Sequence, residues 1–135
     1  MQEKLNVGSP DVFKAGSALA GGVAMRGETC GALTGAIMAI GSLVGRERME
    51  DTEKLQSSME PASRVYAQFK KKIGHTLCAE IHRIRYGRAF RLFLPEDLEA
   101  FHHAGGHTRK GCPDICGVAA RIAAEVILEL APRKS

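Results

Sequence analysis

The stretch Gly27–Gly35, GETCGALTG, places one cysteine in front of a glycine-rich segment that continues as the apolar run AIMAIGSLVG at 36–45. In this stretch apolar side chains recur at helical spacing, which predicts a helix from about Thr29 to Val44 that ends at Gly45. Its apolar stripe consists of Leu33, Ile37, Ile40 and Val44. A second face carries only Gly or Ala at every fourth residue from Gly27 to Ala39, so a neighbouring backbone can approach this face closely.

The rest of the chain also has helical periodicity, and no alternating pattern typical of strands is present. The sequence therefore predicts an all-α fold, a compact bundle of about five to six helices in one domain covering residues 1–135. A Ser9-Pro10 start opens the first helix, Pro61 kinks or divides the third, and 83–93 is a basic, irregular connection. The first predicted helix runs from Pro10 to about Met25, and the third covers Asp51–Ile73 with a core face of Val65, Tyr66, Phe69 and Ile73. A fourth helix begins at about Thr76 and carries Cys78, Ile81 and His82, and a short helix covers Pro95–Gly105. The last helix begins at Cys112, buries Ile115, Val118, Ile122 and Val126, and stops before Pro132.

Composition narrows the classes of function. The 135 residues are 44% hydrophobic and carry a net charge of +4, with no Trp. No basic stripe is interleaved with aromatic residues, so we expect no nucleic-acid partner. The apolar run from Ala32 to Val44 is about thirteen residues long and is interrupted by glycines, which favours a buried helix over a membrane span. Because the N-terminus lacks the pattern of a secretion signal, a cytoplasmic location is expected.

Three of the four cysteines fall at predicted helix starts, namely Cys30, Cys78 and Cys112. Free backbone N–H groups and the positive end of the helix dipole meet at such positions. A thiolate is favoured there over a thiol, and the thiolate is the form that acts as a nucleophile or metal ligand. This shared placement predicts that the three cysteines are reactive or metal-binding thiols and not structural disulfides.

Further side chains are candidates for a metal site. Cys116 lies one helical turn after Cys112, so both sulfur atoms can contact the same metal ion or thiol. The sequence is equally consistent with Cys116 as a small buried hydrophobic residue. His75, Cys78 and His82 would share a face of a continuous helix. Sulfur and imidazole together suit zinc, copper or iron. The remaining histidines, His102, His103 and His107, flank a glycine pair and are expected to be exposed.

These motifs resemble the C-GCAxxG-C-C family of redox-active proteins. The resemblance rests on Gly21-Gly22 followed by 25–35, MRGETCGALTG, on Phe69 and Gly74 before Cys78, and on Cys112 before an Ala/Ile-rich helix. It implies that Cys30, Cys78 and Cys112 are the characteristic cysteines of the family. The scaffold is also similar to part of the split-Soret cytochromes, without their haem attachment motif. Members of the family usually carry one more cysteine upstream of the Gly-Gly segment, which is absent here, and the N-terminal region looks shortened relative to theirs.

Two functions remain open at this point. In the first, a small redox-active protein uses Cys30 as the reactive thiolate, with Cys78 or Cys112 as the resolving thiol. The same thiols could instead hold a transition metal or an iron–sulfur centre, with Cys116 or His75 completing four ligands. In the second, the cysteines are structural and the glycine face forms a helical dimer in a non-enzymatic interaction protein. The expected partners are a second copy of the chain and an electron-transfer or thiol protein.

Overall fold

Three long helices pack against one another in this computed structural model, which describes residues 1–130. They are α3 (Gly31–Val44), α4 (Thr52–Ile73) and α7 (Cys112–Leu130), each of which contacts the other two. Four shorter helices surround them: α1 (Gln2–Leu5), α2 (Pro10–Ala15), α5 (Cys78–Tyr86) and α6 (Pro95–His103). A 3₁₀-helix covers Ser17–Leu19. The prediction of an all-α fold is confirmed.

The main hydrophobic core lies between these three helices because each presents apolar side chains at a spacing of three or four residues. Ile37, Val44 and Val118 are only half-buried and pack against the edge of this core, and the predicted core residue Tyr66 is exposed. The fully enclosed residues of the predicted stripes are Leu33 and Ile40 of α3, Val65 and Phe69 of α4, and Ile122 and Val126 of α7. The predicted core faces are confirmed, except that Tyr66 is exposed and that Ile37, Val44 and Val118 lie at the edge of the core.

The predicted ends of α3, α4 and α6 agree with the structure to within about two residues. Gly74, with φ 99°, ends α4 in the left-handed conformation, and α4 is not divided at Pro61, which is buried inside the helix. Residues 83–86 belong to α5 instead of the irregular connection, and Gly87 ends that helix. The predicted stop before Pro132 lies outside the described residues.

The first predicted helix is wrong over most of its length. The side chain of Ser9 caps α2 as expected, accepting a hydrogen bond from the amide of Val12 at 3.3 Å, but α2 ends at Ala15. Residues 21–25 instead form a left-handed turn with φ between 49° and 71° at every position. An L-residue in this conformation costs roughly 1–2 kcal/mol, and only glycine is exempt.

A second, smaller cluster lies beside the main core. Phe90, Leu92 and Phe101 form its centre, and Tyr86 and Cys112 pack against it. The only β-type pairing in residues 1–130 is an isolated antiparallel bridge between Thr29 and Leu77. None of the described helices is long and apolar enough to cross a membrane.

Candidate functional site

The starts of α3 and α5 are joined by backbone hydrogen bonds on either side of the Thr29–Leu77 bridge. The amide of Cys30 donates to the carbonyl of Thr76 at 2.8 Å, and the amide of Cys78 donates to the carbonyl of Glu28 at 2.7 Å. We call these paired segments, 27–30 and 76–79, the clasp. Cys30 is the residue immediately before α3, and Cys78 is the first residue of α5. The clasp therefore brings two of the predicted redox cysteines to the same place.

The left-handed turn at 21–25 packs onto the clasp. The amide of Glu28 donates to the carbonyl of Gly22 at 2.9 Å. A Cβ atom on Gly22 would lie 2.6 Å from the nitrogen of Glu28 and 2.7 Å from Cβ of Cys78. Real Cβ atoms do not approach other atoms this closely, so glycine is required at position 22 on both conformational and steric grounds. The Gly21-Gly22 pair thus lets the turn lie directly against Cys78.

Cys112 reaches the same region from α7. It is the first residue of that helix, and its amide donates to the carbonyl of Gly106 at 2.8 Å. Gly106 packs onto the ring of Phe101, and any Cβ atom at position 106 would overlap that ring. Phe101 belongs to α6, so this contact fixes the start of α7 against α6.

All four cysteines line one cavity of about 770 Å³. Cys78 is buried, Cys30 and Cys112 are half-buried, Cys116 is exposed, and no disulfide joins them. The reading of Cys116 as a buried hydrophobe is therefore wrong. The structure brings together the three cysteines predicted as redox residues, together with Cys116.

The local environment keeps most of these thiols protonated. Burial raises the pKa of Cys78 to about 12, and the nearby charges of Cys30 and Cys112 raise it further in the same direction. Burial, then the charges of Cys30 and Cys116, raise the pKa of Cys112 to about 11. The pKa of Cys116 is also raised, because its thiol is partly desolvated although the residue is exposed, and because Cys30 is near. The predicted preference for a thiolate at a helix start is wrong for Cys78 and Cys112, because desolvation outweighs the helix dipole there.

His82 is the histidine that lies beside a cysteine. Its Nε2 atom is 3.6 Å from Sγ of Cys78, one turn earlier on α5. The imidazole is 1% exposed and stacks on Phe101 with ring centroids 4.7 Å apart. Burial lowers the pKa of His82, so the ring is neutral at pH 7. The i,i+4 spacing of Cys78 and His82 is the sequence signal for this pair.

The structure does not bring His75 to the cavity. His75 lies before α5, and its Nδ1 atom accepts a hydrogen bond from the amide of Leu77 at 3.0 Å. Within residues 1–130, no three His, Cys, Asp or Glu side chains are arranged to hold a metal ion. The predicted metal set of Cys30, Cys78, Cys112, Cys116 and His75 therefore gains no support from the geometry. His107, predicted to be exposed, is exposed but also lines the cavity, where its ring packs edge-on against Phe101.

Comparison with known protein families gives one match. A family model described as "Putative redox-active protein (C_GCAxxG_C_C)" matches residues 1–126. The chain belongs to this family. The description of the C-GCAxxG-C-C family supports a redox role and does not specify whether thiol cycling or metal binding is the chemistry.

The other comparisons add no relative. No curated protein and no solved structure matches the chain. The similarity to split-Soret cytochromes is therefore not shown and stays a prediction, as do the single domain and the shortened N-terminal region. Homodimer formation and a cytoplasmic location also stay predictions.

Proposed function

We propose that this member of the C-GCAxxG-C-C family is a thiol–disulfide redox protein in which Cys30 attacks the substrate and Cys112 resolves the product. The observation that carries the proposal is the convergence of Cys30, Cys78 and Cys112 from the starts of three helices onto one cavity. Cys30 also lies near enough to both other thiols to contribute to the rise in the pKa of Cys78 and of Cys112.

The reaction is an exchange of disulfides. The Cys30 thiolate attacks one sulfur of a substrate disulfide, the substrate S–S bond breaks, and one half leaves as a thiol after taking up a proton. Cys112 then loses its proton and attacks Sγ of Cys30, which releases the second half. Oxidation of the Cys30 and Cys112 thiols to a disulfide has thus transferred two electrons to the substrate, which leaves as two thiols.

Cys112 is the better resolving thiol because it is half-buried, whereas Cys78 is 6% exposed and lies against His82. The raised pKa values also give the reaction a direction. A pair whose reduced form is stabilised as a thiolate is a strong oxidant. Cys112 lacks that stabilisation, since burial raises its pKa to about 11. The dithiol form is therefore expected to donate electrons to the substrate.

The test is disulfide mapping by mass spectrometry after anaerobic purification and reaction with glutathione disulfide. The wild type should form a Cys30–Cys112 bond. Cys112→Ser should accumulate a mixed disulfide on Cys30. Cys30→Ser should react at about one tenth of the wild-type rate or more slowly still. Cys116→Ser is the control, since it removes a cavity thiol that is not required by the proposal. Unchanged reactivity of Cys30→Ser would contradict the proposal. Stoichiometric bound metal that is lost in Cys30→Ser would assign the thiols to a metal centre instead.

A further inference from the structure

The cavity that holds the thiols has mostly apolar walls. Its volume of about 770 Å³ lies in the range typical of sites for small organic molecules. The only Asp, Glu, Lys or Arg residues on its described lining are Glu3 and Lys4 of α1. The apolar side chains of the lining include Val12, Phe13, Leu19, Met38, Leu92 and Phe101. Such walls favour an uncharged, largely apolar ligand.

Gly35 keeps part of this space empty. It lies in the middle of α3 and lines the cavity, and a Cβ atom on it would have no neighbour within 4 Å. Glycine inside a helix costs roughly 1 kcal/mol relative to alanine, and here no close backbone contact explains it. Gly31 differs, because a Cβ atom there would lie 2.8 Å from the carbonyl oxygen of Leu19. Gly31 thus supports the predicted close approach of a backbone, whereas no backbone of the same chain approaches Gly35, which is exposed and borders the cavity.

The position of the thiols argues for a small substrate. Cys78 is buried and Cys30 and Cys112 are half-buried, with residues of α1, α2 and the 3₁₀-helix lining the same cavity. The cavity is open to solvent at Cys116 and Gly35, but a disulfide on a folded protein would have to reach into it to contact Cys78. A small molecule can occupy the space between the short N-terminal helices and α3 and still present a sulfur to Cys30.

We propose that the cavity binds an uncharged small-molecule disulfide with an aromatic or aliphatic body, and that Gly35 provides the room for that body. The inference rests on the proposed function and names its class of substrate. Cys30 attacks the ligand disulfide, one half leaves as a thiol, and the other half occupies the cavity as a mixed disulfide. Attack by Cys112 then forms the Cys30–Cys112 bond and releases the second half as a thiol, so that two electrons pass to the ligand.

A matched pair of glycine substitutions tests the inference. Gly35→Phe places a large side chain in the part of the cavity that borders α3. Gly41→Phe is the control, because Gly41 lies on the same helix, also has no neighbour within 4 Å of its Cβ position, and does not line the cavity. Gly35→Leu is the second variant, and circular dichroism checks that each protein is folded.

Two measurements are made on each variant. The first is the rate at which the protein reacts with the uncharged aromatic disulfide dithiodipyridine and with the charged glutathione disulfide. Each rate is divided by the rate at which free mercaptoethanol reacts with the same disulfide. The second is binding of the uncharged fluorescent probe N-phenylnaphthylamine to proteins that also carry Cys30→Ser. This binding does not depend on a reaction of the thiols. Gly35→Phe should lower the normalised rate with dithiodipyridine by about tenfold and abolish probe binding, while Gly41→Phe changes both by less than about twofold.

The outcomes separate the two proposals. If Gly35→Phe and Gly35→Leu leave probe binding and the dithiodipyridine rate unchanged, the cavity is not the ligand site, although Cys30-dependent reaction with glutathione disulfide would still support the redox function. If Cys30 reacts with neither disulfide while the probe still binds, the redox proposal fails and the cavity binds an apolar ligand for another purpose. That result would also overturn the proposal that the ligand is an uncharged small-molecule disulfide.

Discussion

The Nε2 atom of His82 lies 3.6 Å from Sγ of Cys78, and both side chains are buried. The imidazole is held by the ring of Phe101 on one side and by edge contacts with Tyr86 and Phe90. Its Nδ1 atom has no hydrogen-bond partner among the described residues. An aromatic ring is therefore needed for packing at this position, whereas the imidazole itself leaves one polar atom unpaired.

Two substitutions at His82 separate packing from polarity. His82→Ala should lower the free energy of unfolding by about 2–4 kcal/mol, because it opens a cavity beside Phe101. His82→Phe keeps a ring there and removes the unpaired nitrogen, so the change should stay within about 1 kcal/mol. Urea denaturation measures both. A loss in His82→Phe as large as that in His82→Ala would show that the contact with the Cys78 thiol, and not the ring, holds this cluster together.

The raised pKa of Cys78 makes stability depend on pH on the alkaline side. In the unfolded chain a cysteine loses its proton near pH 8.5, whereas in the folded protein burial keeps Cys78 protonated up to a pKa of about 12. Between these values the folded state binds more protons, so stability falls as pH rises. The contribution of this thiol is on the order of 1 kcal/mol per pH unit.

Urea denaturation at pH 8 and pH 10, compared between wild type and Cys78→Ser, measures this effect. Serine does not titrate in this range, so the loss of stability between the two pH values should be smaller in the variant. Cys116→Ser is the matched control, since Cys116 is exposed and should contribute a weaker dependence. Equal pH dependence in wild type and Cys78→Ser would show that the thiol is not desolvated.

The contact between Gly22 and the clasp predicts a large effect of a single methyl group. Gly22→Ala adds a Cβ atom that would lie 2.6 Å from the nitrogen of Glu28, in addition to the cost of a left-handed alanine. Gly87 provides the control, because it has a similar φ of 77° and nothing within 4 Å of its Cβ position. Gly87→Ala should cost about 1 kcal/mol, and Gly22→Ala at least about 2 kcal/mol more.

Thermal unfolding of both variants provides the measurement, and alkylation of Cys78 provides a second one. Displacement of the turn in Gly22→Ala should expose Cys78 and speed its alkylation, while Gly87→Ala should leave that rate unchanged. Similar stability losses in the two variants would mean that the turn can move away from the clasp at little cost.

Asp97 fixes the segment after α5 to α6. Its carboxylate accepts hydrogen bonds from the amide of Arg91 at 2.8 Å, from Nε of Arg91 at 3.1 Å and from Arg88 at 2.8 Å. The bonds from Arg91, followed by that from Arg88, lower the pKa of Asp97. A lowered pKa stabilises the fold above the unfolded value near 3.9, and this stabilisation is lost as pH falls through the folded value.

Asp97→Asn should therefore reduce stability at pH 7 and reduce the loss of stability between pH 5 and pH 2. Glu96→Gln is the matched control, since Glu96 lies in the same first turn of α6 and is exposed. Urea midpoints at the two acidic pH values and at pH 7 test this. An unchanged acid dependence in Asp97→Asn would rule out the carboxylate as the group that fixes this segment.

The sequence predicts the three core helices well because their apolar residues recur at helical spacing over many turns. It fails at 21–25, where Val23, Ala24 and Met25 have positive φ values that their residue types disfavour. That turn depends on hydrogen bonds from the amides of Val23 and Ala24 to the carbonyls of Leu19 and Ala18, at 3.1 and 2.7 Å, and on the packing of Gly22 against Cys78. No periodic pattern within the segment reports such contacts.

The site was predictable in part for the same reason. Helix-start placement is a local property, so the shared position of Cys30, Cys78 and Cys112 could be read from the residues around each of them. The pKa values could not, because desolvation depends on distant residues such as Phe101. Which of the two histidines, His75 or His82, lies beside Cys78 depends on where α5 begins. Its start at Cys78 leaves His75 outside the helix.

The clasp also has a consequence for the order of folding. Thr29 and Leu77 are separated by all of α3 and α4, so their pairing closes a long loop and carries a large entropic cost. Contacts of this kind form only after local structure has shortened the distance between the segments, so we expect α3 and α4 to pair before the clasp closes. Until then Cys30 and Cys78 belong to separate, solvent-accessible parts of a nascent chain. The redox state of the surroundings during synthesis would then decide whether the thiols reach the finished cavity in reduced form.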